Sequence, residues 1–80
     1  MANARVTIEG RFLCTKNYNK KDSSGNYTNE IVYQILVFDG DNAVKISGIK
    51  VDDKMQFGTE LSVLCDVYSG DYGVTFRAVQ

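Results

Sequence analysis

The sequence predicts an all-β fold, built as a small five-stranded barrel in a single domain that spans residues 1–80. Apolar and polar residues alternate through much of the chain, which is the period of a strand. Turn signals separate the alternating segments. The chain has no proline, so its backbone N–H groups are free to join strand ladders. Because eighty residues supply only a small core, we expect the domain to be closed, dimerised or stapled.

The first two predicted strands are long. Residues 5–9 alternate, Gly10 interrupts the pattern and residues 11–15 resume it, which predicts a strand with a glycine bulge or bend. The second strand covers residues 27–38, and both of its faces are largely apolar. Such a strand is covered on both sides, by the core on one and by a partner subunit or ligand on the other. Which face packs into the core stays open, because a bulge within the strand would move Tyr33 from the ligand side to the interior or the reverse.

Three shorter strands follow. The turn signal Asp39-Gly40-Asp41-Asn42 precedes a third strand over residues 43–49, and residues 50–58 form a polar connection with at most one helical turn. The alternating residues 60–67 predict the fourth strand, and Ser69-Gly70-Asp71 turns the chain into the fifth, residues 72–79. Five strands, a long first strand and a longer connection after the third fit an antiparallel Greek-key barrel of the OB type. An SH3-like barrel has the same strand count and stays open as the alternative.

Catalytic motifs are missing from the sequence. There is no histidine, which excludes histidine-based catalysis and most zinc sites. Cys14 and Cys65 lie in alternating apolar contexts without a CxxC spacing, so we expect buried packing thiols. Asp39-Gly40-Asp41 begins like a calcium loop, but Ala43 and Lys50 occupy positions that need oxygen ligands. We therefore expect no enzyme activity, no metal and no cofactor.

The cysteine count and the hydropathy pattern favour a cytoplasmic location. Two cysteines form at most one disulfide, no apolar signal-peptide stretch opens the chain, and no apolar run approaches transmembrane length. We expect a cytoplasmic protein with reduced thiols, no membrane contact and no small-molecule substrate.

Charge is distributed unevenly along the chain. The net charge of −1 argues against a nucleic-acid-binding protein. However, residues 1–21 hold five cations against one acid, whereas residues 39–71 hold seven acids against three lysines. This asymmetry predicts a basic face and an acidic face on one small body. The alternative is a solvated imbalance that serves no partner.

Lysines and tyrosines gather at two hairpin signals. Residues 16–27 predict a long loop that projects as a mobile wing, with lysines to follow a phosphate backbone and tyrosines to stack on bases. Tyr68 and Tyr72 flank a second, tighter turn. The alternatives are a solvated loop whose tyrosines pack on its own stem, and ordinary strand-end or dimer packing. Tyr18 and Tyr68 are supported by position alone.

Three short motifs follow one another from about Thr15 to the C-terminus: Gly25-Asn26-Tyr27 with Asn29-Glu30 and Tyr33, then Val44-Lys45-Ile46-Ser47, then Gly70-Asp71-Tyr72-Gly73. In this order and register they resemble the filamentous-phage helix-destabilising proteins, the gene V type of single-stranded-DNA-binding protein. The wing of that family is similar to Gly25-Asn26-Tyr27 followed by Asn29-Glu30 and Tyr33. Its Val-Lys-Ile-Thr segment is similar to Val44-Lys45-Ile46-Ser47, and its dyad-loop Gly-Gln-Phe-Gly to Gly70-Asp71-Tyr72-Gly73. The sequence departs from the family in three respects: Asn29 replaces an apolar residue, the connection after the third strand is shorter and more acidic, and there is no proline. These departures bear on the dimer geometry.

The resemblance implies a set of DNA-binding residues. Bases would stack on Tyr27, Tyr33 and Tyr72, and phosphates would meet Lys16, Lys20, Lys21, Lys45 and Arg77. The wing lysines stand where the family has arginines, which keeps the charge but weakens bidentate phosphate contacts. It also implies a symmetric homodimer that coats single strands cooperatively during replication of phage or mobile-element DNA in a bacterial host.

The sequence therefore predicts a largely sequence-independent single-stranded-DNA-binding protein. RNA is an open variation, because base stacking does not distinguish the sugars. The alternative function is a small β-barrel adaptor that holds a protein partner through its second strand and Tyr72, without binding nucleic acid.

Overall fold

The computed structural model describes residues 4–71 and 73–79, and all the regular structure in them is β-strand. In chain order the strands are β1 (Ala4–Thr15), β2 (Tyr18–Lys21), β3 (Tyr27–Val32), β4 (Gln34–Phe38), β5 (Ala43–Ser47), β6 (Glu60–Gly70) and β7 (Gly73–Ala78). No helix in these two segments has the length and apolar character needed to cross a membrane. The all-β prediction is confirmed.

Five strands close into a barrel in the order β1, β4, β5, β7, β6, and β6 pairs back onto β1. β2 and β3 form a separate two-stranded sheet. The predicted five-stranded barrel is confirmed, and it is consistent with the OB type. Its pairing is mixed rather than purely antiparallel, since β5 and β7 run parallel with Ile46 opposite Phe76. A closed ring with an odd number of strands cannot alternate in direction all the way round, so a parallel pair is required.

β1 closes the barrel by pairing with two strands in succession. Residues 4–11 lie opposite β6, and residues 11–15 lie opposite β4. Gly10 lies beside this change of partner, where a Cβ atom would clash with the carbonyl oxygen of Phe38 and lie 2.6 Å from Cγ1 of Val37. The close approach of two backbones therefore requires glycine at this position.

The β-bulge in β1 lies between Phe12 and Cys14, beyond the predicted glycine. Without a bulge these two residues would face the same side of the sheet. With it, Phe12 is buried opposite Val37, whereas Cys14 lies opposite Leu36 and is exposed. The prediction of two buried thiols is correct for Cys65 and wrong for Cys14.

The barrel interior holds five buried apolar side chains: Phe12, Ile35, Val37, Ile46 and Cys65. Ile35 and Val37 settle the core face of β4, and they leave the intervening Leu36 on the outer face. Partly buried side chains from β1, β5, β6, β7 and the connection of residues 48–59 pack around this cluster. The core is small, as the chain length predicts.

The predicted second strand, residues 27–38, is divided at Tyr33 into β3 and β4. The amide N–H of Gly48 bonds the Tyr33 carbonyl oxygen (2.9 Å), and the N–H of Gln34 bonds Oδ1 of Asn17 (3.0 Å). β3 pairs instead with β2, so residues 18–32, called the wing below, form a β-hairpin rather than the predicted loop. Its two strands continue from β1 and towards β4 at one end of the barrel.

Aspartates shape three of the turns. Oδ1 of Asp22 and of Asp39 each accept two backbone N–H bonds, and Oδ1 of Asp52 accepts one. The backbone N–H groups of Asn42 and then Asp41 hold the pKa of the Asp39 carboxyl below its usual value. A lowered pKa favours the folded state above about pH 4, and this contribution disappears as the pH falls through the folded-state value.

Replacing Gly10 tests the close approach in β1. We expect Gly10→Ala to lower the free energy of unfolding by about 1–3 kcal/mol, because the new methyl group overpacks the β1–β4 contact. Gly70→Ala is the matched control, since no described atom lies within 4 Å of its Cβ position, and we expect a change below about 1 kcal/mol. Urea unfolding measures both, and equal midpoints for the two variants would contradict this role of Gly10.

Candidate nucleic-acid interface

The outer surface of β4, β5 and β7 carries the side chains that face away from the core. Strand register places Leu36 opposite Lys45, Gln34 opposite Ser47, and Ser47 opposite Arg77. Directly opposed residues point to the same side of a sheet, and the residues between these belong to the core. We call this surface the barrel face. β4 and β5 are the second and third strands of the barrel, the strands with which OB folds bind oligonucleotides.

The first groove on this surface, the Tyr33 groove, has a volume of about 330 Å³ and lies between the wing and the barrel. Its lining includes the ring of Tyr33 and the side chains of Lys20, Lys50 and Arg77, with Glu30 as an acid among them. Nζ of Lys50 lies 5.1 Å from the centroid of the Tyr33 ring, within the range of a cation–π contact. Three cations and one aromatic ring thus line the same groove.

The second groove, the Tyr18 groove, has a volume of about 470 Å³. Its lining is Lys16, Tyr18, Gln34, Leu36 and Lys45. An adjoining recess of about 500 Å³ shares three of these residues and continues along β5 and β7. Because Ser47 lines both the recess and the Tyr33 groove, these two spaces are neighbours on the barrel face.

The outer end of the wing carries a further lysine and tyrosine. Lys21 and Tyr27 are cross-strand partners, and Nζ of Lys21 lies 5.0 Å from the Tyr27 ring centroid. The Tyr27 ring is 72% exposed although it sits on a strand. An exposed ring with an adjacent cation is able to stack on a base and meet its phosphate.

The structure separates the predicted site residues into three groups. Lys16 and Lys45 line the Tyr18 groove, Lys20, Tyr33 and Arg77 line the Tyr33 groove, and Lys21 and Tyr27 lie at the wing tip. The predicted stacking residue Tyr72 lies outside the described residues.

Sequence reasoning missed two residues of this surface. Tyr18 is 50% exposed and lines its groove together with Lys16 and Lys45, whereas its sequence position alone left packing on the hairpin stem as an alternative. Lys50 belongs to the acidic half of the chain. It follows the end of β5 by three residues and Lys45 by five, and this nearness in the sequence is the signal that could have placed it here.

Acidic side chains line a different groove. Glu9, Asp39 and Glu60 border a space of about 770 Å³ together with Arg11 and Phe38. This groove lies where β1 and β4 pair through Arg11 and Phe38, whereas the wing leaves the opposite end of the same strand pair. Three acids therefore lie together at the end of this strand pair that is away from the wing.

Across residues 4–71 and 73–79, no three histidine, cysteine, aspartate or glutamate side chains come together as a metal site. The absence of enzyme activity stays a prediction.

Comparison of the chain with protein-family models, curated proteins and solved structures finds no match, so the resemblance to the filamentous-phage family also stays a prediction.

The two cysteines should differ sharply in reactivity. Burial, followed by the charge of Asp66, raises the pKa of the Cys65 thiol, whereas Cys14 is exposed. We expect a disulfide reagent such as DTNB at pH 8 to modify one thiol per folded chain rapidly and the second only after unfolding. Folded Cys14→Ser protein should show no rapid reaction. Two rapidly reacting thiols in the native protein would contradict the placement of Cys65.

Proposed function

We propose that this protein binds single-stranded DNA with little sequence preference and performs no chemistry. One observation carries the proposal: five cations and two tyrosines from separate parts of the chain converge on one face of a closed barrel. They are Lys16, Tyr18, Lys20, Tyr33, Lys45, Lys50 and Arg77. Interleaved cations and aromatic rings are the usual means of holding single strands without reading their sequence.

The mechanism combines charge neutralisation with stacking. Lysine ammonium groups act as mobile point charges that follow phosphates, and Arg77 supplies a planar donor at the edge of the Tyr33 groove. Exposed tyrosine rings stack on bases, which contributes about 1–3 kcal/mol per base. Neither contact depends on the identity of the base, because every base has a flat face and every nucleotide a phosphate.

The position of the barrel face within the fold also supports it as the DNA-binding surface. In OB folds, oligonucleotides bind across the second and third strands, between the loop that joins the first two strands and the loop that joins the last two. Here the wing occupies the first of those connections, and the β6–β7 turn occupies the second. Lys45 lies on the strand between them, with Lys20 and Arg77 to one side.

The proposal includes a cooperative homodimer, in replication of phage or mobile-element DNA in the bacterial cytoplasm, as the resemblance implies. Exposed apolar side chains outside these grooves support association between copies: Leu64 on β6 and Val6 on β1 are 46% and 39% exposed. Burying such side chains in a dimer would stabilise a chain whose own core is small.

Titration of fluorescent oligo-dT at several salt concentrations tests the function. We expect log K to fall linearly with log salt, with a slope of roughly −0.7 per phosphate neutralised. Lys20→Glu and Lys21→Glu, tested singly, should flatten that slope and weaken binding to all sequences alike. The control is Lys54→Glu, on the connection of residues 48–59 and outside the grooves. Absent or salt-independent binding would contradict the proposal, and equal binding of oligo-rU would widen it to RNA.

The stacking role of Tyr27 has a matched control within the chain. Tyr27→Ala should weaken oligo-dT binding about 5- to 150-fold, the equivalent of about 1–3 kcal/mol. Phe57 is just as exposed, at 77% against 72%, but lies outside the wing and the barrel face. Phe57→Ala should therefore leave affinity unchanged. The same loss in both variants would show that Tyr27 has no specific role in stacking.

A further inference from the structure

The surface beyond β7 holds another groove that the proposed site does not use. It has a volume of about 330 Å³ and is lined by Arg5 of β1, Asp66 and Tyr68 of β6, and Arg77 of β7, with Ala78 and Val79. Arg77 lines this groove and the Tyr33 groove. The two spaces are therefore neighbours that share Arg77.

Strand register makes the connection continuous. Ser47 lies opposite Arg77, Arg77 opposite Asp66, and Asp66 opposite Arg5, so one row of outward side chains crosses four strands from the barrel face to β1. Adjacent strands are about 4.8 Å apart, and the row thus extends roughly 14 Å beyond β5.

A second pair of residues, two positions further along β6 and β7, also connects the groove beyond β7 with the barrel face. Tyr68 is opposite Thr75, and Thr75 lines the recess next to the Tyr18 groove. The ring of Tyr68 therefore borders the same surface from the other side of β7.

Arg5 is arranged to bind an anion at the far end of this row. Its Nε atom donates to Oδ1 of Asp66 at 2.8 Å, and its side chain is 62% exposed. That one bond orients the guanidinium group and leaves four terminal N–H donors, for which the described residues provide no further ion-pair partner. A guanidinium group held in this way suits a phosphate oxygen pair. Asp66 itself repels phosphate, so the ion pair also limits affinity.

We propose that a bound single strand continues from the Tyr33 groove across β7 onto β6 and β1, with Arg5 contacting a phosphate and Tyr68 stacking on a base. This inference rests on the proposed function and lengthens its site. A short oligonucleotide occupies the barrel face alone, whereas a longer one reaches Arg5 and Tyr68.

Oligonucleotide length tests the longer path. Single OB folds cover about 4 to 16 nucleotides, so dT4 and dT16 are compared by fluorescence titration at several salt concentrations. We expect Arg5→Gln to flatten the salt slope for dT16 by roughly 0.7 and to leave dT4 unchanged. Tyr68→Leu should weaken dT16 binding about fivefold or more, again without an effect on dT4.

The chain offers a close control for Arg5. Arg11 lies on the same strand, and its side chain is 67% exposed. It pairs with Glu60 of β6 at 4.0 Å and does not line the groove. Arg11→Gln should leave both titrations unchanged. Asp66→Asn should act in the opposite direction to Arg5→Gln and tighten dT16 binding, because it removes the repulsion of phosphate.

The outcomes separate the two proposals. If the unaltered protein binds both oligonucleotides, and Arg5→Gln behaves like Arg11→Gln, the path over β1 is wrong and the barrel-face site stands. Equal losses for dT4 and dT16 in the Arg5 and Tyr68 variants would also overturn the longer path. No binding of either oligonucleotide by the unaltered protein overturns both proposals. Thermal unfolding of each variant identifies losses of affinity that come from misfolding.

Discussion

Closure of a barrel with five strands is the constraint on which the rest of this structure depends. β1 provides it by pairing first with β6 and then with β4, and Gly10 lets the β4 backbone approach. An open sheet would expose two unpaired edges on a domain with only a small core. Closure with an odd number of strands also brings β7 parallel to β5, which places Arg77 beside Ser47. The requirement that stabilises the fold thus helps to build the candidate site.

The wing follows from the same strand pairing. β1 and β4 remain paired as far as Thr15 and Ile35, and the amide N–H of Lys16 still bonds the Gln34 carbonyl oxygen. Beyond that point the two chain segments leave the barrel and pair with each other. The wing is consequently an ordered hairpin, and its lysines and tyrosines have less conformational freedom to lose on binding than those of a mobile loop.

The sequence predicts this fold well where a local pattern is sufficient. Alternation locates most of the strands but does not give their directions. The predicted antiparallel pairing is wrong for β5 and β7, because an odd number of strands in a closed barrel requires a parallel pair. Register is not local: the bulge that exposes Cys14 and the break at Tyr33 occur inside apolar runs that carry no mark of a change of partner. The site is predictable in part for the same reason. Lys50 and Tyr18 join it through strand pairing between distant segments, and only their nearness to Lys45 and Lys16 in the sequence hints at this.

A net charge of −1 is compatible with a basic binding surface because the fold sorts the charges. Lys45 and Lys50 come from the acidic half of the chain but line the basic grooves, whereas acids gather where β1 pairs through Arg11 with β4. That end lies three or four residues along the strands from the wing, roughly 10–13 Å, which is longer than the Debye length of about 8 Å at physiological salt. Under the proposed function, a phosphate on the barrel face would be attracted chiefly by nearby cations. With little net charge to steer distant encounters, the affinity would then depend on short-range contacts and on slow dissociation from stacked rings.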